Sequence, residues 1–507
     1  MRLKHLIILL LFVSYPAFAD THEAATCENK TGQLDVQAAI NLSTTGDTVA
    51  VPTGSCTWDT NVSIPSNKKI TLQGAGKTST LITNKVLSLS TSGSRVTGFG
   101  FTGTTIFADG TGLRIDNNSF TYSTRTVAIQ VSGYNPSSHP TGLIDGNTFV
   151  KGAILVFGFV NTEAGMANAS WLWGQATGLG TGTNVVFIEN NNFTSGDSGA
   201  YYIDCMDANY GARFVFRYNT LYNTHTEFHG IQSSSNRGNP RWEIYNNSYT
   251  TTIAAYNAIF ARGGTGVIYN NSFVGPYTLN INIDNQTSTR YGDYACTPDA
   301  PYAYLDNTPC DGNNPRDGNR TGMEGYPCRD QIGRGQDVPQ WAVGETYAQT
   351  LAPAYFWGNI DGTSDASSPA ITRESPLTSC IPSNTNRHLL HLVADRDFYF
   401  SSAVQTSKGI PFDGTSGVGV GTLAQRPDTC DPLPVATGLE GETGGGVAYW
   451  VTDTNTLYRC SATNTWAVHY TPYTYPHPLR GPFAASHKVG VGSTIMNGIG
   501  PSIKWFE

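Results

Sequence analysis

Charge is scarce in this chain. Asp, Glu, Lys and Arg make up 13% of its 507 residues, about half the ~25% of an ordinary soluble protein. The balance is acidic, −8 with histidine neutral, so the basic face that a general nucleic-acid binder needs is missing. Long apolar runs are scarce too. The longest, LIILLLFV at 6–13, is too short to cross a bilayer as a helix, so no membrane span is expected. The 3.6-residue periodicity of amphipathic helices is absent from the middle of the chain. That excludes the helical solenoids among repeat proteins.

What fills the middle is a recurring phrase. LRIDNNSF (113–120), GLIDGNTF (142–149), VFIENNNF (186–193), VFRYNTLY (215–222), WEIYNNSY (242–249) and GVIYNNSF (266–273) share one plan. An apolar strand-like run leads to an Asn, and an aromatic residue or Leu follows two residues later. The Asn residues are Asn118, Asn147, Asn191, Asn219, Asn247 and Asn271, spaced by 29, 44, 28, 28 and 24 residues. Most of these periods are too short for a propeller blade of about 40–45 residues. The reading is an all-β fold, a right-handed parallel β-helix, with the hand set by the rule for parallel crossovers. Each Asn is expected to take the left-handed conformation at a corner and to stack with the next in an amide ladder. Ile115, Ile144, Ile188, Ile244 and Ile268 are expected to point inward.

The start of the chain reads as an export signal. Arg2 and Lys4 precede the apolar run, and Ala17-Phe18-Ala19 offers a small-x-small cleavage site. Cleavage near Ala19 would release a secreted or periplasmic protein and take the charge from −8 to −10, since Arg2 and Lys4 leave with the signal. Nine cysteines in such a protein predict disulfides and one leftover thiol. Proximity pairs Cys27 with Cys56 and Cys430 with Cys460. Cys296, Cys310, Cys328 and Cys380 would share two more bridges, leaving Cys205 as a buried free thiol.

Residues 34–54 (LDVQAAINLSTTGDTVAVPTG) read as a short helix, a turn and a strand, followed by TLQGAG at 71–76. A helix before a GDTVxxPxG-like phrase and a TLQGAG-like coil resembles the opening of the pectin-lyase-like β-helix superfamily, across roughly residues 30–290. The resemblance implies a capping helix that blocks edge-to-edge pairing. It implies little about chemistry, because that fold hosts lyases, hydrolases, esterases and inert fibres. The domain plan is a signal at 1–19, the solenoid at 20–425 and a disulfide-pinned hairpin with a Pro/Tyr-rich tail at 426–507. An insertion at 159–184 brings Trp171 and Trp173, expected either to stack on sugar rings or to form a hydrophobic lid. The loop at 285–345 loses the repeat. Its Asp/Gly/Asn-rich stretch 306–320 matches no fixed calcium loop.

Ionisable residues concentrate on three consecutive coils. YYIDCMDANYGAR (201–213) carries Tyr202, Asp204 and Asp207; THTEFHGIQSSSNR (224–237) carries His225, Glu227, His229 and Arg237; NAIFARGG (257–264) carries Arg262. Ile203, Ile231 and Ile259 each lie twelve residues past their coil's Asn, which predicts that the three segments stack about 4.8 Å apart. Nothing in the pattern demands zinc.

Arg262 in FARGG, one coil after EFHGIQSSSN, resembles the Arg of alginate- and chondroitin-type β-helix lyases. Those enzymes carry a Lys-Ser pair on the preceding coil; here Ser233 fits but Gln232 stands in the Lys position, so His229 would be the base. The lyase reading implies cleavage of an acidic, uronate-containing polysaccharide by β-elimination. It gives catalytic roles to His229, Arg262 and Glu227, and substrate contacts to Arg237, Tyr202, Trp171 and Trp173. Asp204 and Asp207 are left to hold calcium or orient the imidazole. The order Asp204, Asp207, His229-Gly230, Arg262 is also similar to polygalacturonase-type hydrolases, with Phe228 and Gly264 departing from that pattern. A non-catalytic, glycan-binding or adhesin-type β-helix is the third reading. A monomer is expected in each case.

Overall fold

Strand phrases of four or five residues alternate inward and outward side chains, and that alternation builds the interior. In the computed structural model, which describes residues 19–133, 139–158, 173–195, 203–230, 237–283, 330–338, 348–362, 392, 394–432 and 445–481, the chain winds into a parallel β-helix. The first sheet stacks Leu113–Asp116, Gly142–Asp145, Val186–Glu189, Arg213–Arg217, Arg241–Tyr245, Thr265–Tyr269 and Ala354–Trp357, among others. Ile115, Ile144, Ile188, Phe216, Ile244, Ile268 and Phe356 are aligned in it and all are buried in the core. The five Ile therefore point inward as the phrase predicts.

After the first sheet each coil turns at its Asn into a short strand of a second sheet, for example Thr220–Tyr222 or Ser248–Thr250, and then into a third, for example Thr224–Phe228 or Ala255–Ala261. Two longer strands, Ser119–Ser132 and Thr148–Phe157, run through the corner between the second and third sheets and join them. Where successive phrases close on an aromatic residue the rings stack, Phe120 on Phe149 at 4.9 Å, Phe149 on Phe193 at 4.6 Å and, past Leu221, Tyr249 on Phe273 at 5.2 Å.

The Asn ladder is present, and it is longer than the six phrases. Nδ2 of each Asn donates to Oδ1 of the next, from Asn118 through Asn147, Asn191, Asn219, Asn247 and Asn271 to Asn359, at 2.9–3.2 Å. The same Oδ1 accepts the backbone N–H of the Asn below it. Every Nδ2 also reaches a carbonyl of the preceding coil, such as Asn219 to Ile188 O at 3.0 Å. One expectation is corrected. The ladder Asn is not itself left-handed; the residue before it is. Asn117, Asn190, Tyr218, Asn246 and Asn270 have φ between 52° and 57°, and Gly146 and Gly358 have 66° and 63°. The preceding residue makes the bend, which frees the ladder Asn to aim its amide along the axis.

Asp35–Leu42 forms the cap helix, burying Val36, Ala39 and Ile40. Lys68 Nζ donates to the carbonyls of Ile40 and Asn41 at 2.8 and 2.6 Å, placing a cation at the helix's negative end. At the other end Ala448–Val451 adds parallel to the first sheet, and Thr456–Ala462 and Thr465–Tyr470 follow antiparallel. Asn455, φ 50°, sits in the turn. Cys27–Cys56 and Cys430–Cys460 are bonded, and Cys205 is free and buried. Cys296, Cys310, Cys328, Cys380, stretch 306–320 and residues 1–18 lie outside the described residues. Among those described, no helix is long and apolar enough to cross a membrane.

The segment after Tyr470 runs back across the outer face of the first sheet. Tyr470 Oη donates to Glu243 at 3.0 Å. Arg217 donates to the carbonyls of Tyr473 and Thr474 at 2.7 and 2.9 Å. His477 N–H donates to Glu189 at 3.1 Å, and Arg480 pairs with Asp145 at 3.2 Å. This strap crosses the strands of Glu243, Arg217, Glu189 and Asp145 and buries the Arg217–Glu189 pair completely.

Two outcomes are expected from this architecture. Asn219→Leu removes the acceptor for two buried donors of Asn191 and leaves Ile188 O without its amide; chemical denaturation should show a loss of about 3 kcal/mol, at ~1–3 kcal/mol per orphaned group. The second concerns pH. Burial, with Arg213 beside it, pushes His139 down to about 3; burial and Arg459 push His469 to about 3; burial and Arg217 push His477 to about 4. Each is neutral when folded and titrates near 6.5 when unfolded. The unfolded chain then binds more protons, so stability is full above about pH 6.5 and declines as pH falls toward 4 and 3. Melting curves against pH should show this decline, and His477→Asn, whose Oδ1 can replace Nδ1 as the acceptor for Leu479 N–H, should lessen it.

Candidate active site

Each coil leaves the third sheet at one corner to return to the first. The insertion 159–184, the segment 231–236 and the excursion 284–329 all depart from this corner. His229 and Arg262 stand at it, one residue beyond Thr224–Phe228 and Ala255–Ala261. The outward row of the third sheet reads Gln130, Leu155, Asp207, Glu227, Phe260 and Asn282 along the axis. Met206, Thr226 and Ile259 face inward between them and are fully buried.

These strands bring Asp207, Glu227, His229 and Arg262 together. Arg262 Nη2 is 2.6 Å from His229 Nε2 and 3.1 Å from Glu227 Oε1. Glu227 Oε1 lies 3.2 Å from the same Nε2. Asp207 Oδ1 is 3.0 Å from it without making a hydrogen bond. A guanidinium only donates, so Arg262 can bond Nε2 only in the ring form that leaves this nitrogen unprotonated, whereas a proton on Nε2 would face the Glu227 and Asp207 oxygens at 3.2 and 3.0 Å. The Arg262 guanidinium also sits over the Phe260 ring at 4.5 Å, which fixes its plane. Burial pushes the Glu227 carboxyl up, but hydrogen bonds with His225 and His229 and the Arg262 charge outweigh it, holding Glu227 well below the usual carboxylate range. Glu227 and Asp207 expose 21% and 19% of their side chains, against 5% for His229 and 6% for Arg262. An arriving ligand therefore meets carboxylates first and the Arg–His pair behind them.

The equal-offset argument for this convergence does not hold. Ile203 pairs with Thr224 and Ile259 with Thr226, while Ile231 lies outside the described residues. The corner before the third sheet takes eight residues in one coil, 195–202, and one, Asn223, in the next. A register shift between Asp204 and Met206 moves the pairing again. Asp207 and Glu227 meet because of strand register, not because of their distance from the Asn.

Other expected contributors fall elsewhere. Asp204 is held by Arg125, whose Nε donates to Oδ1 at 2.8 Å and whose Nη2 reaches Oδ2, so it does not join Asp207 as a metal pair. Arg237 is fully buried between Asp330 and Asp337, with Nε, Nη1 and Nη2 all bonded at 2.7–3.0 Å, and cannot contact substrate. Trp173 is also fully buried; its Nε1 donates to Gly238 O at 3.0 Å and its ring lies under Arg237 at 4.9 Å. It packs as an anchor, not as a sugar platform. Trp171, Tyr202, Gln232 and Ser233 lie outside the described residues. Arg125 went unread in the sequence: it follows the phrase LRIDNNSF on a strand that runs straight through the corner, where no repeat marks it.

Among the described residues one group of side chains could hold a metal ion, Asp207, Glu227 and His229, with one ligand atom of each within 4.8 Å of the others. The two carboxylates suit a hard cation such as calcium. The imidazole does not, and its Nε2 already lies 2.6 Å from the Arg262 guanidinium.

No protein-family model matches the chain, and no curated protein matches it. Among solved structures the chain is similar to the alginate lyase from Paenibacillus sp. str. FPU-7, at 16% identity and a TM-score of 0.27, over 51% of this chain and 97% of that one. The functional reading therefore rests on the cluster itself. Its buried support can be checked directly. Arg237→Ala leaves Asp330 and Asp337 facing each other without their cation, and should cost about 3–5 kcal/mol in denaturation, an effect an exposed sugar-contacting Arg would not produce.

Proposed function

We propose that this protein is a carbohydrate-active enzyme of the lyase type, cleaving a uronate-containing polysaccharide by β-elimination at the Asp207–Glu227–His229–Arg262 cluster. The observation that carries this reading is the Arg262–His229 contact beside two carboxylates. A uronate's own carboxylate is the natural competitor for the Arg262 guanidinium, since a planar, forked donor matches a carboxylate. When substrate draws Nη2 away, the lone pair of His229 Nε2 is released beside the acidified C5–H. The imidazole takes that proton, the C4–C5 double bond forms, and the bond to the C4 oxygen breaks; the departing oxygen is protonated from solvent. Glu227, kept anionic, then stabilises the charged imidazole.

Calcium would be held by Asp207 and Glu227 and would supply further neutralisation of the uronate carboxylate. The acidic rim gives that assistance a purpose, because two carboxylates otherwise repel the substrate. The same pair argues against inverting hydrolysis of the polygalacturonase type. Their oxygens approach within 4.8 Å, whereas a pair that activates water stands about 6.5–9.5 Å apart. A second reading, glycan binding without cleavage, is supported by the near-complete burial of His229 and Arg262.

Incubation with a panel of polyuronates, read by ultraviolet absorbance of the unsaturated product and in parallel by reducing ends, separates the readings. Absorbance with reducing ends supports the lyase; reducing ends alone mean a hydrolase; retention of polymer without either means binding. In the lyase, His229→Ala and Arg262→Ala should each lower turnover by about 10²-fold or more. Full turnover in both variants would refute the assignment. A chelator should reproduce the Asp207→Asn defect if the cation participates.

A further inference from the structure

His229 and Arg262 both lie one residue past the ends of their strands, where the ladder reaches only their N–H groups, His229 to Ala208 O at 2.9 Å and Arg262 to Phe228 O at 3.2 Å. Something else must hold a 2.6 Å contact between residues on two coils. For His229 the holder is Asn239. Its backbone N–H and its Nδ2 both donate to His229 O at 3.0 Å, Nδ2 also donates to Ala208 O at 2.7 Å, and Oδ1 accepts from Ala212 N–H at 2.9 Å. Asn239 is fully buried and spans two coils.

For Arg262 the holder comes from far along the chain. Gly264 N–H donates to Asp330 O at 3.0 Å, and Gly333 N–H donates to Gly264 O at 2.9 Å. The Asp330 side chain turns the other way: it accepts Gly238 N–H at 2.9 Å and the Arg237 guanidinium at 2.8 and 2.7 Å. Gln349 donates to Asp330 Oδ1 at 2.8 Å and accepts its N–H at 2.8 Å. One buried residue thus grips the segment that leads into Asn239 and the turn that leaves Arg262. Close approach makes this possible. A Cβ at Gly263 would lie 2.5 Å from Asp330 O and 2.8 Å from Gly230 Cα, and Gly230 is the residue after His229. A Cβ at Gly238 would meet Asp330 Cβ at 3.0 Å and Gly230 Cα at 3.1 Å.

We propose that Asp330 and Asn239 are positioning residues that set the Arg262–His229 contact, so that the excursion after Ile283 returns to complete the site. The proposal rests on the assignment of these two residues as the reacting pair. Asp330 touches neither substrate nor reacting atoms; it acts through the turn at Gly263-Gly264 and through Arg237-Gly238.

The test uses the full protein labelled with ¹⁵N-histidine. The wild type should show His229, assigned with His229→Gln, as the neutral ring with an unprotonated Nε2 accepting from Arg262. Gly263→Ala displaces Asp330 without touching its charge pairs, and Asp330→Asn weakens the grip from the other side. Both should shift the His229 ring signals toward a mixture of tautomers while the melting curve stays cooperative. Asn118→Ala, a ladder variant far from the corner, should lose stability and leave those signals unmoved. In the lyase assay Gly263→Ala should lower kcat by about tenfold with KM little changed, as expected when geometry rather than binding is lost. Unchanged His229 signals in a folded Gly263→Ala protein overturn the proposal. The ring signals need no substrate, so failure of the lyase assignment leaves that decision intact.

Discussion

The whole solenoid depends on closing each coil against the next at a corner where the chain bends out of one sheet and into another. A bend breaks the regular ladder and leaves buried N–H and C=O groups without partners, each a cost of about 1–3 kcal/mol. The stacked Asn supplies those partners. One amide accepts from the backbone and side chain of the coil below and donates to a carbonyl of the coil before it. The solution propagates: the orphaned groups of one coil are satisfied only if the next coil places its Asn correctly. That is why the ladder resumes at Asn359 after an excursion of more than eighty residues.

Because the ladder corner is committed to structure, variation is pushed elsewhere. In three coils the described chain breaks off just past the end of the third sheet, after Gly158, Gly230 and Ile283. There the strand ends carry ionisable residues whose burial is tolerated through mutual compensation: Arg262 with Glu227 and His229, and Arg237 with Asp330 and Asp337. The two groups divide the work. The Arg237 group is closed to solvent and fixes chain segments, while the Arg262 group opens through Asp207 and Glu227.

The fold was legible because its signals are local. An apolar run, an Asn and an aromatic residue fall within eight positions, and Ile115 or Ile244 could be assigned inward from alternation alone. The site was only half legible. Glu227 and His229 lie two residues apart at one strand end, so their common side could be read directly. Asp207 joins them through a register that depends on how many residues the preceding corner consumes, which periodicity does not encode. Arg237 looked like a ligand-binding cation because its two carboxylates are 93 and 100 residues away. Trp173 looked exposed because small residues flank it, yet it supports Arg237 from beneath. Asn359 escaped the repeat because it lies 88 residues past Asn271, outside the period of the other phrases.

The strap from Tyr470 to Gly481 changes what kind of object the solenoid is. A stack of coils that touch only their neighbours can fray from either end one layer at a time, its stability a sum of nearest-neighbour terms. Here the strap is tied to strands near Arg114, Asp145 and Glu189, far earlier in the chain. The C-terminal coils cannot peel away without first releasing a tether that spans the middle ones. The tether also arrives late, after every strand it crosses. Until it is synthesised, Phe187, Tyr218 and Tyr245 line an uncovered aromatic face with Arg217 and Glu189 at its centre. The growing chain therefore carries that aromatic face until the strap emerges to cover it.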